Sequence, residues 1–439
     1  MKVRESREIK KAEITAFLSL IFILMVTFTG SIVDAASLQA AKNYRRTDAE
    51  RAMECLFAEY QKELLDEYDL FAFDAGYESG EYQENLIHKR LEYYGLVNSK
   101  NDIERIQFLS DDSAKGFLEQ VSYYMEHKYG LNIVKDHLDD TKFWEKQEEE
   151  AKELEKEEQE NSSYLDQLLS ESESELPDEN NPISKVEGLK KTPILNLVIP
   201  EGKSVSERVV KLSELPSHRE LNRGYGDFSD EEKSTGVTDK LLLSEYILEH
   251  FTTFTDGKGN VLDYEVEYIL AGKESDRENL KAVVNQILLI RFVSNYAYLQ
   301  SSPDKKAEAE ALAFTLSSVL AVPAITEAVA QGILLAWAFE DSLEDIRTLL
   351  NGGRVPFSNE DFGNQKGLNY EEYLQILLFL EDKEDAGMRC LDMIEQTLCK
   401  IKGLSFFKVD FCTTKLEIKA KCSFRRGITY TFPVYFGYQ

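Results

Sequence analysis

The sequence predicts an α+β protein in which an N-terminal transmembrane helix continues into a mainly helical extracytoplasmic body with a C-terminal antiparallel sheet. Three observations carry that prediction. The stretch Ile14 to Val33, ITAFLSLIFILMVTFTGSIV, holds twenty residues without a charge, enough at about 1.5 Å per residue to cross a hydrocarbon core of roughly 30 Å. Helix-forming text with apolar residues three and four apart then dominates as far as Ile401. Finally the period changes to two: Leu416, Ile418, Ala420, Cys422 and Phe424 alternate with Lys415, Glu417, Lys419, Lys421 and Ser423, as in a strand with one buried and one wet face.

Composition limits what the chain can be. Of 439 residues 43% are hydrophobic, with 22 Tyr and 24 Phe, which supplies one large or two modest cores rather than a disordered chain. A formal net charge of -29 and a pI near 4.7 argue against nucleic acid as a partner, because every phosphate contact would be made by a repulsive body. The acidic surface reads as solvation before it reads as a collector of cations. Cys55, Cys390, Cys399, Cys412 and Cys422 show no zinc spacing and read as buried free thiols. The Cys412–Cys422 pair stays open as a disulfide.

In the anchor, Ile14, Phe17, Leu18, Leu20, Ile21, Phe22, Ile23, Leu24, Met25, Val26, Phe28, Ile32 and Val33 are the side chains expected to face lipid. Lys2, Arg4, Arg7, Lys10 and Lys11 precede the run and favour a cytoplasmic N-terminus with the bulk exported, although Lys42, Arg45, Arg46 and Arg51 weaken the asymmetry. The expected location is therefore the cell membrane, single-pass. A cleaved signal peptide competes, since Val33-Asp34-Ala35 before Ala36 has the small-residue look of a cleavage site. Against it, the apolar run is longer than a signal core.

No helix breaker interrupts the passage from the apolar run into the aqueous part, and Met53, Leu56, Phe57, Tyr60 and Leu64 recur at helical spacing. One helix is thus expected to leave the membrane and enter a folded domain, the layout of pilin-like subunits; an ordinary anchor with a helical stalk fits the same spacing. The expected division is 1–36 tail and anchor, 37–144 helical stalk and N-terminal helical region, 145–192 acidic linker or exposed arm, and 193–439 α+β body with a terminal meander. From Leu70 to Trp144 the text reads as helices and turns with core tyrosines, and His88, His127 and His137 read as solvated.

Later stretches offer weak motifs, each outweighed by a structural reading. TPILNLVIP, between Pro193 and Pro200, reads as a strand or tether, and Gly224 with Gly226 read as turn glycines rather than a nucleotide fingerprint. Asp256 to Asn260 is a turn lacking the twelve-residue calcium pattern. VLDYEVEYIL, Val261 to Leu270, alternates like a strand that could edge the terminal sheet. Ser302 and Lys305 have SxxK spacing, yet Ser302 before Pro303 is a natural helix cap. The apolar text from Ala309 to Gly353 is split by Pro323 and Glu327 and reads as buried helices, not a second span. Helices follow at Tyr370 to Leu380 and Gly387 to Ile401, then strands at Phe406 to Phe411, Leu416 to Phe424 and Ile428 to Tyr438.

The segments EITAFLSLIFIL, CLFAEYQKELLDEYDLFAFD, LLLSEYILEHF, LDYEVEYILAGKESDRENLKAVVNQILLIR and AWAFEDSLEDIRTLLNGGRVPF resemble the DUF5702 family of Gram-positive, clostridia-like bacteria. The resemblance implies a single-pass protein associated with tight-adherence (Flp-type) pilus and secretion components, similar in layout to TadE- and TadG-type pseudopilins, with no catalytic residues, cofactor or metal. Glu13 could stand as the fifth residue of a processed pilin, but Ile9 after Glu8 lacks the small residue of such junctions. An anchored accessory subunit with protein partners in a surface assembly is therefore the expectation. The alternative is an exported cell-envelope hydrolase or wall-polymer-binding protein, for which Glu265, Glu267 or His250 would have to line one cleft.

Overall fold

The computed structural model describes residues 2–77, 79–130, 132–171, 176–228, 236–317, 323–357 and 367–438. Its first element, α1 (Lys2–Phe57), is one unbroken helix of 56 residues, as expected from a stretch with no proline and only Gly30 as a weak helix former. Then come α2 (Lys62–Tyr68), β1 (Phe73–Asp74), α3 (Glu84–Tyr93), β2 (Ser99–Phe108) and α4 (Asp111–Tyr129). The two strands correct the expectation of helices and turns alone between Leu70 and Trp144. In α4 a left-handed turn at Asp112, Ser113 and Ala114 precedes the regular part.

The acidic stretch continues a long helix, α5 (Asn132–Glu171), which buries Trp144, Ala151, Leu154 and Leu165. Its many glutamates stay outside, so a one-sided apolar seam suffices to pack it. The SESESE text lies partly outside the described residues. Short helices α6 (Pro182–Lys190) and α7 (Ile194–Val198) follow. Text read as a strand between two prolines is thus a helical turn, because Pro193 at its start fits a helix N-terminus as well as a strand end.

The helical body continues with α8 (Gly236–His250), α9 (Glu265–Ala271), α10 (Asp276–Ser301), α11 (Pro303–Ser317), α12 (Pro323–Leu350), α13 (Tyr370–Leu380) and α14 (Lys383–Lys400). The strand expected over Val261 to Leu270 is instead a loop and α9. All of Glu265 to Leu270 is buried, so no wet face was left to reveal the period. Ser275 caps α10 at Glu278 N, Asn369 and Glu372 form a reciprocal capping box on α13, and Asp382 caps α14. Ser302 Oγ accepts from Lys305 N at 3.4 Å, as the cap reading requires. The apolar helices α11 and α12 pack within the main core, which also takes in α4, α5, α8, α10, α13 and α14.

The sheet is built around β3 (Cys412–Ser423). On one edge it pairs antiparallel with β2, Ile103 opposite Ile418. On the other it pairs with β4 (Thr429–Gly437), Ile418 opposite Val434, and beyond that with β1 at Cys412 and Thr413. The C-terminal antiparallel sheet is therefore present, but Phe406 to Phe411 is loop and one short helical turn, Val409–Phe411, and supplies no strand. The missing partners come from the N-terminal quarter. A second core lies between this sheet, α3 and the end of α1: Ala49, Ala52, Met53, Leu56 and Phe57 meet Phe73, Ile87, Leu91, Phe108, Leu416, Ile418, Phe432 and Val434.

All five cysteines are free. Cys412 and Cys422 lie on the one strand β3, ten residues apart and so about 33 Å, which closes the disulfide left open above.

Candidate functional site

The most distinctive surface is the first half of α1. Ile14, Phe17, Leu18, Leu20, Ile21, Phe22, Ile23, Leu24, Met25, Val26, Phe28, Ile32 and Val33 are all exposed, most by more than half. No protein covers this cylinder. Hydroxyls inside it are satisfied within the helix: Ser19 Oγ donates to Ala16 O at 2.8 Å, Thr27 to Leu24 O at 2.9 Å, Thr29 to Met25 O at 2.8 Å and Ser31 to Thr27 O at 2.9 Å. Such back-bonding removes the cost of bringing a hydroxyl into hydrocarbon. Among the described residues α1 is the one helix long and apolar enough to cross a membrane, a property shared by anchors and signal sequences.

Protein covers the helix again within a few residues. Leu38 is half-buried, then Ala41, Lys42, Arg45 and Asp48 along the same stripe, and Ala49 onward is core. β4 lies along this stripe in the same direction. The Lys42 ammonium sits 5.1 Å from the Tyr430 ring, and the Phe57 ring lies 4.7 Å from Phe436 and 4.9 Å from Tyr438. Fifteen helical residues from Lys42 to Phe57 span about 22 Å, and the six strand steps from Tyr430 to Phe436 span about 20 Å, so helix and strand run alongside over the same length. On the other side Arg45 donates to Val97 O at 3.3 Å, and Tyr94 OH to Glu59 Oε1 at 2.5 Å.

The acidic residues singled out from the sequence serve the interior of the body. Glu265 accepts from Thr252 N at 3.2 Å and Thr252 Oγ1 at 3.1 Å. Glu267 Oε1 accepts from Phe254 N at 2.9 Å and Tyr370 OH at 2.8 Å. Both carboxyls are closed to solvent and hold the irregular segment between α8 and α9. Burial pushes Glu267 up to about 7, against the Phe254 and Tyr370 donors that favour its ionised form. His250 is a buried side chain whose ring nitrogens lie 3.0 Å from Tyr246 O and 3.2 Å from Asp69 Oδ2, against the ring of Tyr246. His127 is exposed and His88 half-buried; the side chain of His137 lies outside the described ones.

Sequence reasoning missed two further carboxylate clusters of the same kind. Asp392 accepts from Ser217 N at 2.8 Å, Ser217 Oγ at 2.6 Å and Tyr268 OH at 2.7 Å. Arg219 bridges Glu395 at 2.9 Å and Asp410 at 2.6 Å, and Asn222 donates twice to Asp410. Burial raises Glu395 to about 7, with Arg219 opposing it. At Asp410 burial is outweighed by Arg219 and Asn222, which hold it below the usual carboxylate range. These groups staple the irregular chain 209–228 to α14 and to the start of β3. Only their spread over nearly 200 residues hid them: no local spacing announces a contact of that range.

Gly224 and Gly226 belong to the same segment and are turn glycines, as read. Tyr225 between them exchanges backbone hydrogen bonds with Ile106, 3.0 and 2.9 Å, and so closes the outer edge of β2. A Cβ on Gly224 would drive into the Ile106 carbonyl oxygen, and Gly226 has φ +86°. Among the described residues no group of three or more His, Cys, Asp or Glu is arranged to hold a metal.

A family model described as a family of unknown function, DUF5702, matches residues 172–362 and 357–424. No curated protein and no solved structure matches the chain. The match takes in α6 to α14 and β3, more than half of the sequence, and on that extent the chain belongs to the DUF5702 family.

Proposed function

We propose that the chain is a non-enzymatic, membrane-anchored protein with a cytoplasmic N-terminus and an extracytoplasmic bulk, acting as an accessory or pseudopilin-like component of a tight-adherence (Flp-type) pilus or secretion assembly. The observation that carries this reading is the continuity of α1. Its first part is an uncovered apolar cylinder of bilayer length, and its last two turns are core residues of a folded module. A helix shared in this way fixes the body rigidly to the bilayer, which suits a subunit that must present a surface to neighbours at constant height. The basic tail before Ile14 favours the stated orientation.

The test is to solubilise membranes gently and identify what co-purifies with the intact chain, sequencing its mature N-terminus in parallel. Pilus or secretion components with an uncleaved N-terminus are the expected result. A monodisperse protein without such partners would remove the assembly role, and a mature chain beginning at Ala36 would remove the anchor.

A further inference from the structure

The turn joining β3 to β4 lies beside α1 on the side facing the apolar cylinder, within a headgroup layer's thickness of its end. β4 runs with α1, Tyr430 beside Lys42 and Phe436 beside Phe57, so the residues before Tyr430 point back toward Val33. Lys42 is nine residues from Val33, about 13 Å along the axis. Ile428 is two residues before Tyr430, about 7 Å along the strand direction, and the short helical turn Arg425–Gly427 closes that end. The half-burial of Leu38, five residues from Val33, shows cover extending to that height.

What stands at this end is basic in a chain that is otherwise strongly acidic. From Lys421 to Tyr430 the sequence holds Lys421, Arg425 and Arg426 and no acid. Arg425 and Lys421 are exposed, and among the described residues neither is paired with a carboxylate. Lys100 stands opposite Lys421 across the β2–β3 ladder and pairs loosely with Asp102 at 3.8 Å. Near them are exposed apolar side chains: Ile428 at 38% and Val97 at 48%. Phe424 N donates to Ile428 O at 2.8 Å and closes the turn, so the tip is a formed loop and not a loose end.

Cationic residues mixed with exposed aliphatic ones, at the height of a membrane surface, are the composition that interfacial segments use. We propose that the Phe424–Ile428 turn, with Lys421 and Lys100, is a second membrane contact that binds anionic phospholipid headgroups of the leaflet α1 enters. The inference rests on the anchored reading of α1 and holds for either orientation of the body. Such a contact fixes the tilt of the sheet on the bilayer, which a single helix cannot do.

The full chain carrying a nitroxide at Ile428→Cys, reconstituted in nanodiscs of phosphatidylcholine with or without phosphatidylglycerol, tests it. The unsubstituted chain supplies the background from the native cysteines. Adding phosphatidylglycerol is expected to cut collisions of the label with a water-soluble nickel chelate several-fold, since one basic residue at an anionic surface is worth roughly fivefold in partitioning, and salt is expected to restore them. Arg425→Glu with Lys421→Glu should abolish the lipid effect. A label equally open to the chelate in both lipids, in the otherwise unaltered chain, overturns the proposal without recourse to any charge variant. A second label at Phe22→Cys separates the two readings. If it is shielded in both lipids while Ile428 stays open, the headgroup contact alone fails; if it is open, the anchor fails and the contact with it.

Discussion

Replacing Glu267 by glutamine should flatten the pH dependence of stability. Its carboxyl is fully enclosed and pushed up to about 7 in the folded protein, from an ordinary value of 4.5 in the unfolded chain. A raised folded-state value means that the folded state binds the extra proton. The stabilisation is complete below about 4.5 and is lost as pH climbs through about 7. Over that interval, at roughly 1.4 kcal/mol per pH unit for one proton, the loss is about 3 kcal/mol. Glu395, raised to about 7 by burial, acts over the same interval in the same direction, so the unaltered protein loses about twice that amount. Glutamine presents a neutral amide where the neutral carboxyl stood. Glu267→Gln should therefore match the parent near pH 5 and exceed it by about 3 kcal/mol at pH 8. Denaturant titrations of the full chain in mild detergent between pH 5 and 8, followed by the emission of Trp144 and Trp337 in the helical body, measure this directly. Identical slopes for the two proteins would refute the reasoning, because they would mean that Glu267 is already ionised or already wet when folded.

Three further outcomes follow from the packing. Ile23→Arg, at the middle of the apolar cylinder, should cost about 3 kcal/mol of insertion and shift the protein toward the alkali-extractable fraction; unchanged extraction would contradict a spanning helix. Phe57→Ala removes the ring that meets Phe73, Phe436 and Tyr438 and should cost the sheet module about 3–5 kcal/mol, read as faster proteolysis between α1 and β1 with the helical body intact. Arg219→Ala leaves Asp410 and Glu395 buried without their cation and should cost about 3–5 kcal/mol, larger at pH 8 than at pH 5 as Glu395 ionises; a denaturation midpoint unchanged at pH 8 would show the cluster to be idle.

How much of this was legible depends on whether one face of each element is wet. β3 could be read because Lys419, Lys421 and Ser423 alternate with Ile418, Ala420 and Cys422, and the structure exposes the first set and buries the second. The end of α1 was legible for the same reason: Met53, Leu56 and Phe57 are core, although the helix stops before Tyr60, which is 40% exposed. α9 was not legible, since a helix buried on every side has no period to show. β2 hid in the opposite way. SKNDIERIQF carries charges on both faces, and only its last three residues are buried, so nothing marked it as a strand until β3 lay beside it. The carboxylate clusters were invisible because each joins residues over a hundred apart in the sequence, as Ser217 and Asp392 are. Glu265 and Glu267 stood out as candidates, but what singles them out physically is burial.

The order of elements has a mechanical consequence. The sheet module takes the end of α1, β1, α3 and β2 from one end of the chain and β3 and β4 from the other, while α2 and the described helices from α4 to α14 build the core of the body. The body is thus an insertion held at both its ends by one sheet, and the strand β3 that receives its return is the same strand that pairs with β2, where it departs. A force on the body is delivered to β2 and β3 together and reaches α1 through Phe57, Phe436 and Tyr438 rather than through a single covalent linker. Neither exit can be pulled free alone, because Arg105 on β2 is bonded to Glu417 on β3 at 2.5 Å and Lys415 on β3 to Glu119 on α4 at 2.9 Å. Under the proposed membrane-anchored role, this closure would hold the body at a fixed height and angle where a single covalent linker would only tether it.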